Sequence, residues 1–226
     1  MDHNVVFYIV YTLLYGIILL IGEGMYRYLK MNPAWSRNFS HLVAGLVSLP
    51  FPWFFNSHWW VLLITVQSSI ILILTRKYGL IPSHHHVAGK SFGSFLFFLS
   101  IYFCFLAFFF TGNESFFVVP ILILTISDVA AGSVGRTYGK QPYGFMKWFG
   151  TAHKTKAGTI AFFLSCLVVI FLVYHYYYQA HFLQSVGMAI GIALATSMAE
   201  ALSPRGFDNF FIPFIALSIM YLIHFM

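Results

Sequence analysis

Apolar residues in this chain come in long unbroken runs rather than in strict alternation or as one-sided stripes. Runs over 4–22, 39–56, 59–75, 92–110, 115–135, 157–179, 183–202 and 208–226 each come near the roughly 20 residues that cross ~30 Å of hydrocarbon as a helix. The pattern predicts an all-α, polytopic transmembrane helical bundle of about eight spans. Two spans carry breaks. The stretch "SLPFPWFF" at 48–55 holds two prolines that kink or end a helix, and the last run opens on Asp208, so seven spans are also compatible with the pattern. The runs leave no space for a separate soluble domain, and 1–226 is read as a single integral-membrane domain.

Composition agrees: 60% of the 226 residues are hydrophobic and 8% charged, the balance of a chain whose solvent is mostly lipid. Charge placement adds orientation. Arg27, Lys30 and Arg37 fall in the first connection, and Arg76, Lys77 and Lys90 in the third. Arg136, Lys140, Lys147, Lys154 and Lys156 lie in or beside the fifth, with Arg205 in the seventh, so all 12 basic residues lie on one side. By the positive-inside rule that side is cytoplasmic and both termini face outward. The net charge of +6 is then a consequence of topology, and no nucleic-acid partner is expected. The opening "MDHNVVFYIV" lacks the basic start of a cleavable signal, so the first span is expected to stay as an anchor. Cys104 and Cys166 fall inside spans and imply no disulfide framework.

Against this background ionisable residues inside or at the edge of spans stand out, because they are costly in lipid and usually face a bundle interior or a polar cavity. Asp128 and Glu200 are the foremost. Ala131, Gly135 and Gly139 follow Asp128 at 3, 7 and 11 residues, which returns them to one helical face at ~100° per residue. Such a smooth face serves either close helix packing, as the small-xxx-small spacings Gly135/Gly139 and Gly187/Gly191 allow, or a phosphate cradle. The five basic residues crowding the same region favour the cradle. Ala189, Ala193, Thr196 and Glu200 share a second face, and Asp208 and Asn209 follow after a Pro-Arg-Gly turn. Asp128, Glu200 and Asp208 are therefore candidate oxygen ligands for Mg²⁺, which one or two carboxylates plus substrate phosphates commonly hold.

Other features have plainer readings. "SHHHVAGK" at 83–90 is read as an interfacial loop, since three consecutive histidines do not readily converge on one ion. Trp53, Trp59 and Trp60, with Tyr174, Tyr176, Tyr177 and Tyr178, are read as an aromatic belt.

Several of these motifs, in order, resemble the CTP-dependent lipid-alcohol kinases, the group of dolichol kinase, phytol kinase and bacterial diacylglycerol/polyprenol kinase-like proteins. The family's Asp-x-x-Ala-x-x-x-Gly-x-x-x-Gly is matched by Asp128, Ala131, Gly135 and Gly139. Its Lys-Lys-Thr-x-Glu-Gly resembles "HKTKAG", which keeps Lys154, Thr155 and Gly158 but has His153 and Ala157 in place of a lysine and a glutamate. An early basic element is similar to Arg37 and His41, and a closing Glu…Asp-Asn element to Glu200, Asp208 and Asn209. The resemblance implies phosphoryl transfer from CTP to the hydroxyl of a long-chain lipid alcohol at the cytoplasmic face, with Mg²⁺ as cofactor. It implies catalytic roles for Asp128, Lys154, Glu200 and Asp208. The nucleotide and its phosphates are then expected against Ala131, Gly135, Arg136, Gly139, Lys154, Thr155, Lys156, Gly158, Asn209, Arg37 and His41. The alternatives are a cytidylyltransferase making a CDP-lipid, as the phosphatidate cytidylyltransferases do, and a non-catalytic membrane protein or transporter.

Overall fold

The computed structural model describes residues 3–85, 93–140, 142–143, 154–204 and 206–224. Residues 86–90 of the histidine-bearing stretch, Lys147, His153 and Arg205 lie outside the described residues. Helices dominate: α1 (His3–Arg27), α2 (Pro33–Ser48), α3 (Phe51–Phe54), α4 (His58–Lys77), α5 (Pro82–His85), α6 (Gly93–Thr111), α7 (Ser115–Leu122), α8 (Asp128–Tyr138), α9 (Lys156–Leu172), α10 (Phe182–Leu202) and α11 (Asp208–His224). The exception is a two-residue antiparallel pairing of β1 (Pro142–Tyr143) with β2 (Lys154–Thr155). Among the described residues six segments are long and apolar enough to cross a membrane: His3–Arg27, His58–Lys77, Gly93–Thr111, Ser115–Tyr138, Lys156–Tyr177 and Phe182–Leu202. The chain is thus an all-α, multi-pass membrane protein. The expected second and eighth spans are present as the shorter helices α2 and α11, of 16 and 17 residues.

The second span begins earlier and stops sooner than its apolar run. Asn32 accepts a hydrogen bond from the Ala34 amide at 2.9 Å and Pro33 takes the first helical position, so α2 has a capped start. Pro50 and Pro52 then divide the run into α2 and the single turn α3, because a proline interrupts the backbone ladder of a continuing helix.

The expected single domain has an internal division into two compact units, residues 1–117 and 118–226. In the first, α1 packs on α2 and α4, and α4 on α6. Aromatic rings fill its core: Phe51 meets Tyr11 edge-on at 4.7 Å and Phe98 meets Tyr15 at 5.4 Å. The Tyr15 hydroxyl and Ser48 Oγ lie 2.7 Å apart, which gives a buried phenol the polar partner that lipid cannot supply. Glu23, buried near the end of α1, pairs with Arg27 one turn on and accepts from the Ser83 amide at 3.1 Å.

In the second unit α9 is central. It packs against α8, α10 and a π-helical turn at Ile123–Ser127, and α10 packs on α11. That π turn interrupts the segment from Ser115 to Tyr138, just after Pro120. Proline lacks the amide its turn of helix needs, and the extra residue of the π turn rotates everything downstream by about 100° relative to an unbroken helix. Asp128 is the first residue after the turn, so its orientation is set there.

Candidate active site

Local chemistry at the start of α9 fixes the most unusual side chain in the protein. Thr155 is extended (φ −123°, ψ 148°) and its hydroxyl accepts from the Gly158 amide at 3.1 Å, an N-cap that pins the helix start. Lys154, just before it, is held in the β1–β2 pairing opposite Tyr143. Its side chain is only 15% exposed. A lysine so placed needs counter-charge, and two acids from other elements supply it.

Lys154 Nζ donates to Glu200 Oε1 at 2.6 Å and to Asp208 Oδ2 at 2.9 Å. Glu200 arrives from the last turn of α10 and Asp208 from the first turn of α11. The connection between those helices turns at Gly206, whose φ of +85° lies where a side chain is strongly disfavoured. Glu200 is 3% exposed and its second oxygen accepts from Thr159 Oγ1 at 3.1 Å. Desolvation alone would lower the Lys154 pKa, but the carboxylates of Asp208, Glu200 and Asp128, in that order, outweigh it and hold the ammonium above the usual lysine range. Three carboxylates therefore act on one cation. Among the described residues no three of the His, Cys, Asp and Glu side chains gather closely enough to enclose a metal ion by themselves. The donor set fits Mg²⁺ in the mode where carboxylates share it with substrate phosphates.

The predicted faces are real. Ala189, Ala193, Thr196 and Glu200 are all buried along α10. Ala131, Gly135 and Gly139 do lie together, but the groove expected beside them is filled. A Cβ on Gly135 would stand 3.0 Å from Thr155 Oγ1, and one on Gly139 would stand 2.7 Å from the same oxygen and run into the Gly135 carbonyl. A Cβ on Gly158 would stand 2.9 Å from the Ala131 carbonyl oxygen. These small residues bring α8 against the start of α9, the use membrane helices commonly make of them. The glycine face is a seam, and the seam holds Lys154 in place. Gly187 and Gly191, of like spacing, meet nothing within 4 Å among the described residues.

The remaining expected residues are distributed more widely. Asn209 is buried and its backbone N–H donates to Asp208 Oδ1 at 3.0 Å, which orients that carboxylate. Arg136 and Lys156 are exposed. Arg37 and His41 belong to α2 in the other unit, where the His41 ring lies 4.3 Å from that of Phe97. Thr159 was not anticipated from the sequence. Its one signal is that it stands one helical turn after Thr155, on the same face of α9.

No family model and no solved structure matches the chain. A phytol kinase of Synechocystis sp. is 30% identical to it over 203 residues, covering 88% of this chain and 83% of that protein. The chain belongs to the phytol/dolichol kinase-like family of lipid-alcohol kinases.

Proposed function

We propose that this chain transfers the γ-phosphoryl group of CTP to the hydroxyl of a long-chain lipid alcohol of the phytol, polyprenol, dolichol or diacylglycerol kind, at the cytoplasmic face of the membrane. The observation that carries the reading is the buried ammonium of Lys154 between Glu200 and Asp208, at the ends of apolar helices. Phosphoryl transfer asks little covalent chemistry of a protein. It needs the donor phosphates fixed, their charge offset and the acceptor held in line. Lys154 supplies a cation that can pass to the phosphates. Glu200, Asp208 and Asp128 would hold Mg²⁺, which supplies the charge neutralisation that such reactions use. The alcohol oxygen bonds to the γ-phosphorus as the bond to the β-phosphate oxygen breaks, CDP leaves, and a carboxylate of the cluster takes the alcohol proton. CTP as donor rests on the resemblance of the Asp128–Gly139 and Lys154–Gly158 motifs to those of the CTP-dependent kinases.

The test is a product analysis. Purified protein is incubated with Mg²⁺, CTP or ATP, and a panel of lipid alcohols. The expected products are a lipid monophosphate and CDP, with CTP preferred over ATP. Pyrophosphate with a CDP-lipid would assign the cytidylyltransferase reaction instead, and no turnover with any acceptor would overturn both. The orientation has its own check. A cysteine at Lys77 is expected to be labelled from the cytoplasm only and one at Glu114 from outside only, and the reverse pattern would invert the topology.

A further inference from the structure

The cation that these carboxylates hold is covalently part of the chain. Two of the oxygens a metal would seek, Glu200 Oε1 and Asp208 Oδ2, are spent on Lys154 Nζ. Lys154 has little freedom at its backbone, because the pairing with Tyr143 and the Thr155 cap fix it on both sides. Its side chain is long and ends in a compact charge with three donors, so the head can move while the backbone stays. The electrostatics then set a condition on exchange. A metal ion arriving alone would compete with the ammonium for Glu200 Oε1 and Asp208 Oδ2 and force a buried charge off both of its hydrogen-bonded partners, which is strongly unfavourable. A metal ion arriving on a polyphosphate brings an anion with it.

We infer that Lys154 is a resident counter-ion that closes the carboxylate site to free divalent metal and gives way only to a metal–nucleotide complex, its ammonium passing from Glu200 and Asp208 to the phosphates. This rests on the kinase reading above and extends it to an order of binding. Lys154 thereby acts twice, as the stand-in for the metal before binding and as a phosphate ligand after it. The exchange keeps every charge partnered: the carboxylates trade an ammonium for the metal, and the ammonium trades carboxylates for phosphate. Gly135, Gly139 and Gly158 contribute by holding the segment that carries Lys154 close to α8.

The test measures metal binding directly, with Mn²⁺ as a paramagnetic probe counted by electron paramagnetic resonance on purified protein in detergent. Wild-type protein without nucleotide is expected to bind Mn²⁺ weakly, and Lys154→Met to bind it about tenfold more tightly or better, because the competing charge is gone. Lys154→Arg keeps a cation and is expected to stay weak. Adding Glu200→Gln to Lys154→Met is expected to abolish the gain, which places the bound ion at this cluster. Wild-type protein that already binds Mn²⁺ as tightly as Lys154→Met, or a Lys154→Met protein with no gain, overturns the inference. Should Lys154→Met unfold in metal-free buffer, purification in Mn²⁺ is expected to restore it, and failure to restore it counts against the inference equally. The two readings fail separately. Lipid phosphorylation by wild-type protein without the Mn²⁺ gain removes the counter-ion role alone, whereas the Mn²⁺ gain without lipid phosphorylation removes the kinase reaction and leaves the counter-ion role standing.

Discussion

Each of the two units buries a glutamate, and the two carboxylates are treated differently. Glu23, in the first unit, is partnered by Arg27 from the next turn of its own helix and by the Ser83 amide, while Arg27 also donates to the Leu80 carbonyl at 3.3 Å. One negative charge meets one positive charge, and the result fastens the connection after α4 to the end of α1. Glu200, in the second unit, takes its cation from a segment 46 residues away and must share it with Asp208, while Asp128 acts on the same ammonium. A local one-to-one pair fastens two segments of chain; a buried cation shared among carboxylates gathered from distant segments is an arrangement that functional sites use.

The largest predicted effect breaks this comparison at its centre. Glu200→Gln and Asp128→Asn keep size and remove charge, and each is expected to lower lipid phosphorylation by about 100-fold or more. Glu23→Gln is expected to leave turnover of the folded protein within a factor of about two while lowering thermal stability, since it leaves Arg27 without its counter-charge. Turnover and thermal unfolding measured on the same preparations decide it. Equal loss of turnover in Glu23→Gln and Glu200→Gln would show that the first glutamate is no mere fastening.

A smaller effect separates the two glycine pairs. Gly139→Ala places a methyl against Thr155 Oγ1 and the Gly135 carbonyl and is expected to cost about 1–3 kcal/mol, the usual penalty of overpacking. Gly191→Ala meets open space in the interior of a helix and is expected to be neutral or stabilising by up to about 1 kcal/mol. Melting curves of the two variants measure the difference. Equal effects would mean that the spacing itself, rather than the facing surface, governs both.

These glycines also show where reading the chain alone stops. The helices were legible because long apolar runs have one solution in lipid, and the Asp128–Gly139 face was legible because α8 starts on Asp128 and keeps its period from there. What lies opposite a face is a different kind of information. The same spacing serves a seam at Gly135 and Gly139 and meets nothing within 4 Å among the described residues at Gly187 and Gly191, and the placement of Thr155 and Gly158 separates the two cases. Five basic residues near one connection gave no sign of which turns inward. Lys154 does so because a two-residue pairing and a threonine cap fix its backbone, features too short to leave a periodic trace. Glu23 escaped notice because an acid with an arginine four residues on reads as an ordinary surface pair at the end of a span.

The smallest predicted effect decides between two uses of a single hydroxyl. The family motif implies that Thr155 contacts the nucleotide, while the structure gives its Oγ1 to the Gly158 amide at 3.1 Å. If the hydroxyl serves only as the cap of α9, Thr155→Ala is expected to lower stability by about 1 kcal/mol, with Thr155→Ser close to wild type because serine caps as well. The KM for CTP should then be unchanged in both variants, apart from any displacement of Lys154 that fraying of the first turn allows. If the hydroxyl reaches phosphate, the KM should rise severalfold in Thr155→Ala and the loss should persist under conditions where the variant is fully folded. We expect the first outcome, because one lone pair is already committed to the amide and Gly135, Gly139 and Gly158 close in on the same oxygen. A raised KM at unchanged melting temperature would instead place Thr155 among the nucleotide contacts and return part of the seam to the active site.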